Sequence, residues 1–129
     1  MAKEPVDTQS PEAGSFAENA AKLLIDRHCE NVLLLDVEGL SQVSDFVLIG
    51  TGTSDRQMKS IAGELANFGK NVGLPAFRTS VDSGATWIVI DFVTVIVHIF
   101  EPQRRSYYDL EDLWSDARRI DVKANTSTP

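Results

Sequence analysis

The sequence predicts an α/β domain built on one mixed β-sheet, with elements in the order αββαβββα. Three observations carry this. Apolar residues recur at helical spacing over residues 15–29 and 54–73, while short apolar runs at 32–37, 45–50, 86–92 and 94–101 read as strands. The 54–73 helix lies where it can cross over between parallel strands. The last two runs are so close that they must pair as an antiparallel hairpin.

Taken in order, the first helix is signalled by Ser15 followed by Glu18, a capping box that satisfies free amides at a helix start. Ala17, Ala20, Ala21, Leu24, Ile25 and His28 then form a stripe that runs to about Cys29. Val32–Val37 is apolar nearly throughout, the pattern of a strand buried on both faces. Gly39, Ser41 and Gln42 mark a loop before the second strand, Asp45–Gly50. Ser54 and Gln57 form another capping box, and Met58, Ile61, Ala62, Leu65, Phe68 and Val72 keep one stripe until Gly73 and Pro75 end it. A short strand near Ala76–Thr79 and the hairpin 86–92/94–101 follow, and Pro102 ends the hairpin. Tyr108, Leu110, Leu113 and Trp114 predict a short closing helix, with Tyr108, Leu113 and Trp114 in the core.

Composition bounds what such a domain does. Its 129 residues are enough for a core that needs no disulfide or structural metal. The single cysteine, Cys29, can form neither an internal disulfide nor a multi-cysteine zinc site, so a reducing, cytoplasmic setting is expected. The longest apolar stretch, Phe92–Phe100, is too short to span a membrane and contains Thr94 and His98. Residues 1–14 and 123–129 have the polar, Pro- and Ser/Thr-containing composition of disordered tails, leaving one domain over 15–122. With 12 basic residues against 19 acidic, the net charge is −7 and the bases are scattered. Bare nucleic acid is thereby disfavoured and a basic protein partner favoured.

Four blocks carry a resemblance that composition does not. Gly50–Gln57, Trp87–Phe92, Val95–Phe100 and Tyr108–Trp114 resemble, in order and spacing, the signature blocks of the ribosome silencing factor family, also called Iojap, over about residues 15–117. The resemblance implies a nucleotidyltransferase-like fold without catalysis. It also implies a protein that binds the large-subunit ribosomal protein numbered fourteen and sterically hinders joining of the small subunit, damping translation when nutrients fall. Homodimers of the free protein are implied as well. One departure is Val93, where the family usually has Gly in the hairpin turn; a β-branched residue resists positive φ, so a longer or differently shaped loop is expected.

The possible chemistry is limited. Gly52, Thr53 and Ser54 lead from a strand into a helix, an arrangement that can hold phosphate on backbone amides. The turn lacks a P-loop lysine and the third glycine of a dinucleotide fingerprint, and a plain helix cap accounts for it equally. A nucleotide-binding or nucleotidyl-transferring enzyme on this scaffold is the alternative function. It would need paired carboxylates, yet Asp91 stands alone on its strand, and Asp36 with Glu38 precedes the glycine turn, the wrong order. No Gly-x-Ser-x-Gly elbow accompanies His28 or His98, and Cys29 beside His28 lacks further ligands. No cofactor and no metal are expected.

The hairpin is more informative. Alternation sends Trp87, Val89 and Asp91 to one face and Ile88, Ile90 and Phe92 to the other, the core face. Cross-strand partners of the first set come from Thr94, Ile96, His98 and Phe100, so Trp87 and His98 share a face. A Trp, an Asp, a His and aliphatics together suit a binding surface with an aromatic anchor, and equally suit a face covered by a second helix; the residues alone leave both open. The resemblance implies contact through the Trp-Ile-Val-Ile-Asp block, which makes Trp87, Ile88, Asp91 and His98 the partner-binding candidates. Glu101, Asp109, Glu111, Asp112 and Asp116 would steer a basic partner toward them.

Overall fold

In the computed structural model of the chain, which describes residues 5–122, ten elements are described, six strands forming one sheet and four helices packed about it. They are α1 (Pro5–Asp26), β1 (Glu30–Asp36), β2 (Phe46–Thr51), α2 (Asp55–Asn71), β3 (Arg78–Val81), β4 (Trp87–Asp91), β5 (Val95–Phe100), α3 (Pro102–Tyr108), α4 (Leu110–Leu113) and β6 (Arg118–Ile120). The strand order is β3-β4-β5-β2-β1-β6. Only β2 and β5 pair in parallel, with Phe46 opposite Val95 and Thr51 opposite Phe100; every other neighbour is antiparallel. The sheet is therefore mixed, and the chain between its parallel strands contains α2, as expected.

One face of the sheet carries Leu34, Leu48, Ile88, Ile90, Val97 and Ile99, all buried beneath α1 and α2. The helices contribute Ala17, Ala20, Ala21 and Leu24 from α1 and Met58, Ile61 and Leu65 from α2. Alanines at helical spacing let α1 lie close to the strands. The other face is covered in part: Leu35, Val37, Val47, Ile49 and Phe100 are buried there, with Leu110, Trp114 and Ala117 packed on them. Leu34 and Leu35, adjacent on β1, thus belong to opposite cores, which fulfils the expectation of a strand buried on both sides.

Several boundaries differ from expectation. The first helix starts at Pro5, not at Ser15; Ser15 and Glu18 are exposed within it, so their spacing does not mark its start. A tail through residue 14 is accordingly corrected, since residues 5–14 are helical and Ala13 is only 3% exposed. Ala13 continues the stripe of Ala17, Ala20, Ala21 and Leu24 onto the sheet, and that burial overrides the weak helix propensity of a segment containing Pro11 and Gly14. The helix ends three residues short of Cys29, where His28 turns the chain at φ +73°. The remaining tail residues, 1–4 and 123–129, lie outside the described residues.

The third strand is displaced to Arg78–Val81 and is exposed throughout, an edge with no apolar alternation to announce it. A sixth strand, Arg118–Ile120, pairs with β1 through Leu34–Ile120 and is anchored by an Arg118–Asp36 ion pair of 2.9 Å. Pro102 both ends β5 and opens α3 as its first residue, with Glu101 before it as the N-cap residue. Asp109, at φ +47°, separates α3 from the single turn α4. Arg105 fastens α3 to the body: its Nε and Nη2 donate to Glu111, and its Nη1 to the Asn31 carbonyl at 2.7 Å and the buried Thr51 hydroxyl at 2.8 Å. Trp114 is half-buried, whereas Leu113 is 68% and Tyr108 44% exposed, so those two are not the core residues expected of them.

Candidate partner-binding face

The hairpin pairs Trp87 with Phe100, Val89 with His98 and Asp91 with Ile96, placing all six side chains on the partly covered face. Trp87 opens β4. Its indole stacks on Phe100 at 4.9 Å between ring centres and lies 4.6 Å from Tyr108 of α3, while its Nε1 donates to His98 Nδ1 at 3.2 Å. His98 is therefore neutral with its proton on Nε2, and burial pushes its pKa down to about 4. Tyr107, edge-on to Tyr108 and 77% exposed, carries the aromatic surface outward. Tyr108 of α3 covers one side of the indole, and Trp87 stays half-buried beside the half-buried Val89 and His98.

The other candidates separate. Ile88 is fully buried beneath the helices, on the side opposite Trp87, as alternation requires; its assignment to partner contact is corrected. Asp91 is on the Trp87 side, half-buried, and its Oδ1 accepts from Val93 N–H at 2.7 Å. That bond closes the hairpin turn, in which Val93 adopts φ +75° and Thr94 N–H reaches the Phe92 carbonyl at 2.9 Å. The loop is not lengthened to spare Val93; the valine itself takes the positive φ, held by the Asp91 carboxylate.

The glycine turn is a helix cap. The Ser54 hydroxyl accepts from Gln57 N–H at 3.0 Å, Gln57 Oε1 accepts from Thr53 N–H at 2.7 Å, and Gln57 Nε2 donates to the Arg27 carbonyl at 2.8 Å. Gly52 N–H donates to the Phe100 carbonyl at 2.8 Å. The amides of Gly52 and Thr53 are thus already paired. Gly52 is glycine because a Cβ there would lie 2.2 Å from Met58 Cγ, a packing constraint and not an opening for phosphate. Cys29 is buried, and burial pushes its thiol up to about 11, so it stays protonated and unreactive at neutral pH. Among the described residues, no three His, Cys, Asp or Glu side chains are grouped to hold a metal ion, and no helix is long and apolar enough to cross a membrane.

Sequence reasoning missed the part played by Tyr108 and by the loop before Trp87. There Asp82 accepts hydrogen bonds from the Thr86 and Trp87 amides at 2.7 and 2.8 Å. An aspartate followed by Ser-Gly-Ala-Thr, a turn composition, was the available signal.

Comparison with known proteins gives a consistent result. The family described as ribosomal silencing factor during starvation matches residues 9–129. A ribosomal silencing factor of Bacillus subtilis is 38% identical over 108 residues, covering 84% of this chain and 92% of its own. The chloroplastic Iojap protein of Zea mays is 32% identical over 116 residues, covering 87% of this chain and 49% of its own. Two crystal structures share the fold. One, from Chromobacterium violaceum, has a TM-score of 0.75 at 25% identity and covers 90% of this chain and 96% of its own. The other, from Bacillus halodurans, has a TM-score of 0.70 at 34% identity, over 87% and 99%. With a match running from within α1 past β6 and relatives aligned over most of its length, the chain belongs to the ribosomal silencing factor family.

Proposed function

We propose that this protein is a non-enzymatic, cytoplasmic regulator of translation. It binds the large ribosomal subunit through the ribosomal protein numbered fourteen, at the joining face, and excludes the small subunit by overlap, repressing translation under nutrient limitation. The observation that carries this reading is the aromatic cluster of half-buried Trp87 with exposed Tyr108 and Tyr107 on the partly covered sheet face. Interface hot spots are enriched in such residues, set in surroundings that exclude water. Trp87 is the anchor, with His98 and Asp91 on its face. The acidic residues Asp109, Glu111, Asp112 and Asp116 lie before, along and after α4 and favour a basic partner by steering its approach. Family membership supports the ribosomal setting. The paired amides of Gly52 and Thr53 and the engaged Asp91 favour a binding protein over a nucleotidyl-transferring enzyme. When free, the protein associates into homodimers.

Cosedimentation with isolated large subunits tests the binding step, and a subunit-joining assay tests the consequence. Joined ribosomes are expected to fall in yield and to recover with excess small subunit, without any nucleotide. Failure to cosediment, or a strict nucleotide requirement for the block, would overturn the reading.

A further inference from the structure

Trp87 begins β4, paired with Phe100 of β5 on one side and lying just past the last register pair with β3 on the other. The β3–β4 register ends at Val81–Ile88, and beyond it the Trp87 carbonyl still accepts from Asp82 N–H at 3.2 Å, while the Trp87 amide donates not to the Asp82 carbonyl but to its side-chain Oδ1 at 2.8 Å. The same oxygen accepts from Thr86 N–H at 2.7 Å, and Oδ2 accepts from the Thr86 hydroxyl. The intervening loop folds tightly around this carboxylate: Ala85 N–H returns to the Asp82 carbonyl at 2.9 Å, with Gly84 at φ +86° and Ala85 at φ +55°. Thr86 extends the connection to α3, its hydroxyl oxygen accepting from Arg104 Nε at 3.2 Å and its carbonyl from Glu101 N–H at 2.9 Å. Since α3 supplies Tyr108, one wall of the indole's corner, Asp82 is bonded both to the backbone that carries Trp87 and to the residue that holds the wall.

We propose that Asp82 is a positioning residue for partner recognition: its carboxylate clamps the Thr86–Trp87 backbone and so sets the indole in the corner formed by Phe100 and Tyr108 before a partner arrives. This rests on the reading of Trp87 as a contact residue. Preorganisation of this kind removes the ordering cost that a loose tryptophan would meet on binding. The hydrogen bonds from the Thr86 hydroxyl and the two amides hold the Asp82 carboxyl below its ordinary pKa, so the clamp is ionised across the neutral range.

The chain has two tryptophans, so a Trp114→Phe background isolates the emission of Trp87. In that background, Asp82→Ala is expected to raise acrylamide quenching of Trp87 about twofold and to weaken large-subunit cosedimentation about tenfold, the cost of ordering a freed side chain and loop. It also moves His98, followed by NMR, back toward the ordinary histidine pKa. Asp82→Asn keeps an oxygen for both amides and stays within about twofold of the parent in each measurement. Unchanged quenching and His98 titration in Asp82→Ala overturn the clamp, and a freed indole with undiminished binding overturns its part in recognition. A parent that does not cosediment defeats the functional reading and this role in recognition, while the quenching series still decides the clamp itself. Should Asp82→Ala not fold, Thr86→Val removes only the hydroxyl links; it is expected to loosen the indole in the same direction, and a parental quenching value in that variant overturns the proposal.

Discussion

The indole Nε1 of Trp87 and the imidazole Nδ1 of His98 are joined by a hydrogen bond of 3.2 Å across the β4–β5 hairpin, with His98 as the acceptor. An imidazolium has no acceptor nitrogen, so protonating His98 breaks the bond and places a charge in a buried site.

The pH dependence follows. His98 titrates at about 4 in the folded chain and near the ordinary 6.5 when unfolded, so between these values the unfolded state binds more protons. The stabilisation is complete above about pH 6.5 and is lost as pH falls toward about 4, a total loss of roughly 3 kcal/mol. Denaturant unfolding of the parent and of His98→Gln over this range should show the parent's steeper decline. Equal slopes would remove His98 as the cause.

Trp87→Ala should separate binding from folding. The side chain is half-buried, so its removal is expected to cost about 2 kcal/mol of stability, less than the roughly 3–5 kcal/mol of a fully buried tryptophan. Large-subunit cosedimentation should fall about thirtyfold or more. Thermal melting and cosedimentation of one preparation check both numbers, and a variant that binds like the parent would exclude Trp87 from the interface.

Val93→Gly should stabilise the protein. A β-branched residue at φ +75° is strained, and this one is 54% exposed, so little packing is lost with its side chain. A gain of about 1 kcal/mol is expected after the greater freedom of glycine in the unfolded chain is deducted. Asp91→Ala should act oppositely, losing about 1 kcal/mol with its bond to the Val93 amide. A melting temperature lowered by Val93→Gly would show that the turn is not strained.

Gly52→Ala should destabilise by about 1–3 kcal/mol, because the new methyl group collides with the buried Met58. Combining it with Met58→Ala should cost less than the sum of the two changes, since the second vacates the space that the first fills. Strict additivity in a double-mutant cycle would place the strain elsewhere.

The hairpin was the most legible part of the fold, because period-two alternation states both register and face: Trp87, Asp91 and His98 occupy the side assigned to them. The same rule placed Ile88 in the core, against its assignment by resemblance. What was not legible depended on tertiary context. Arg118–Ile120 has too few apolar residues to announce a strand and forms one only because β1 offers a free edge. The start of α1 was obscured by a capping-box spacing inside a longer helix. Tyr108 is a wall of the Trp87 corner only because Arg105 and Asp109 set the angle of α3, which local periodicity does not encode.

The parallel contact of β2 with β5 has a kinetic meaning. It welds two antiparallel ribbons of strands close in sequence, β1–β2, to whose outer edge the distant β6 adds, and β3–β4–β5, while the weld itself joins residues 46–51 to 95–100. Closing so long a stretch of chain comes late when local ribbons can form first. Leu48, which meets Val97 across the weld, is thus expected to have a φ-value near zero: Leu48→Ala should speed unfolding and leave the folding rate nearly unchanged, and a slowed folding limb in its chevron would reverse that order of events.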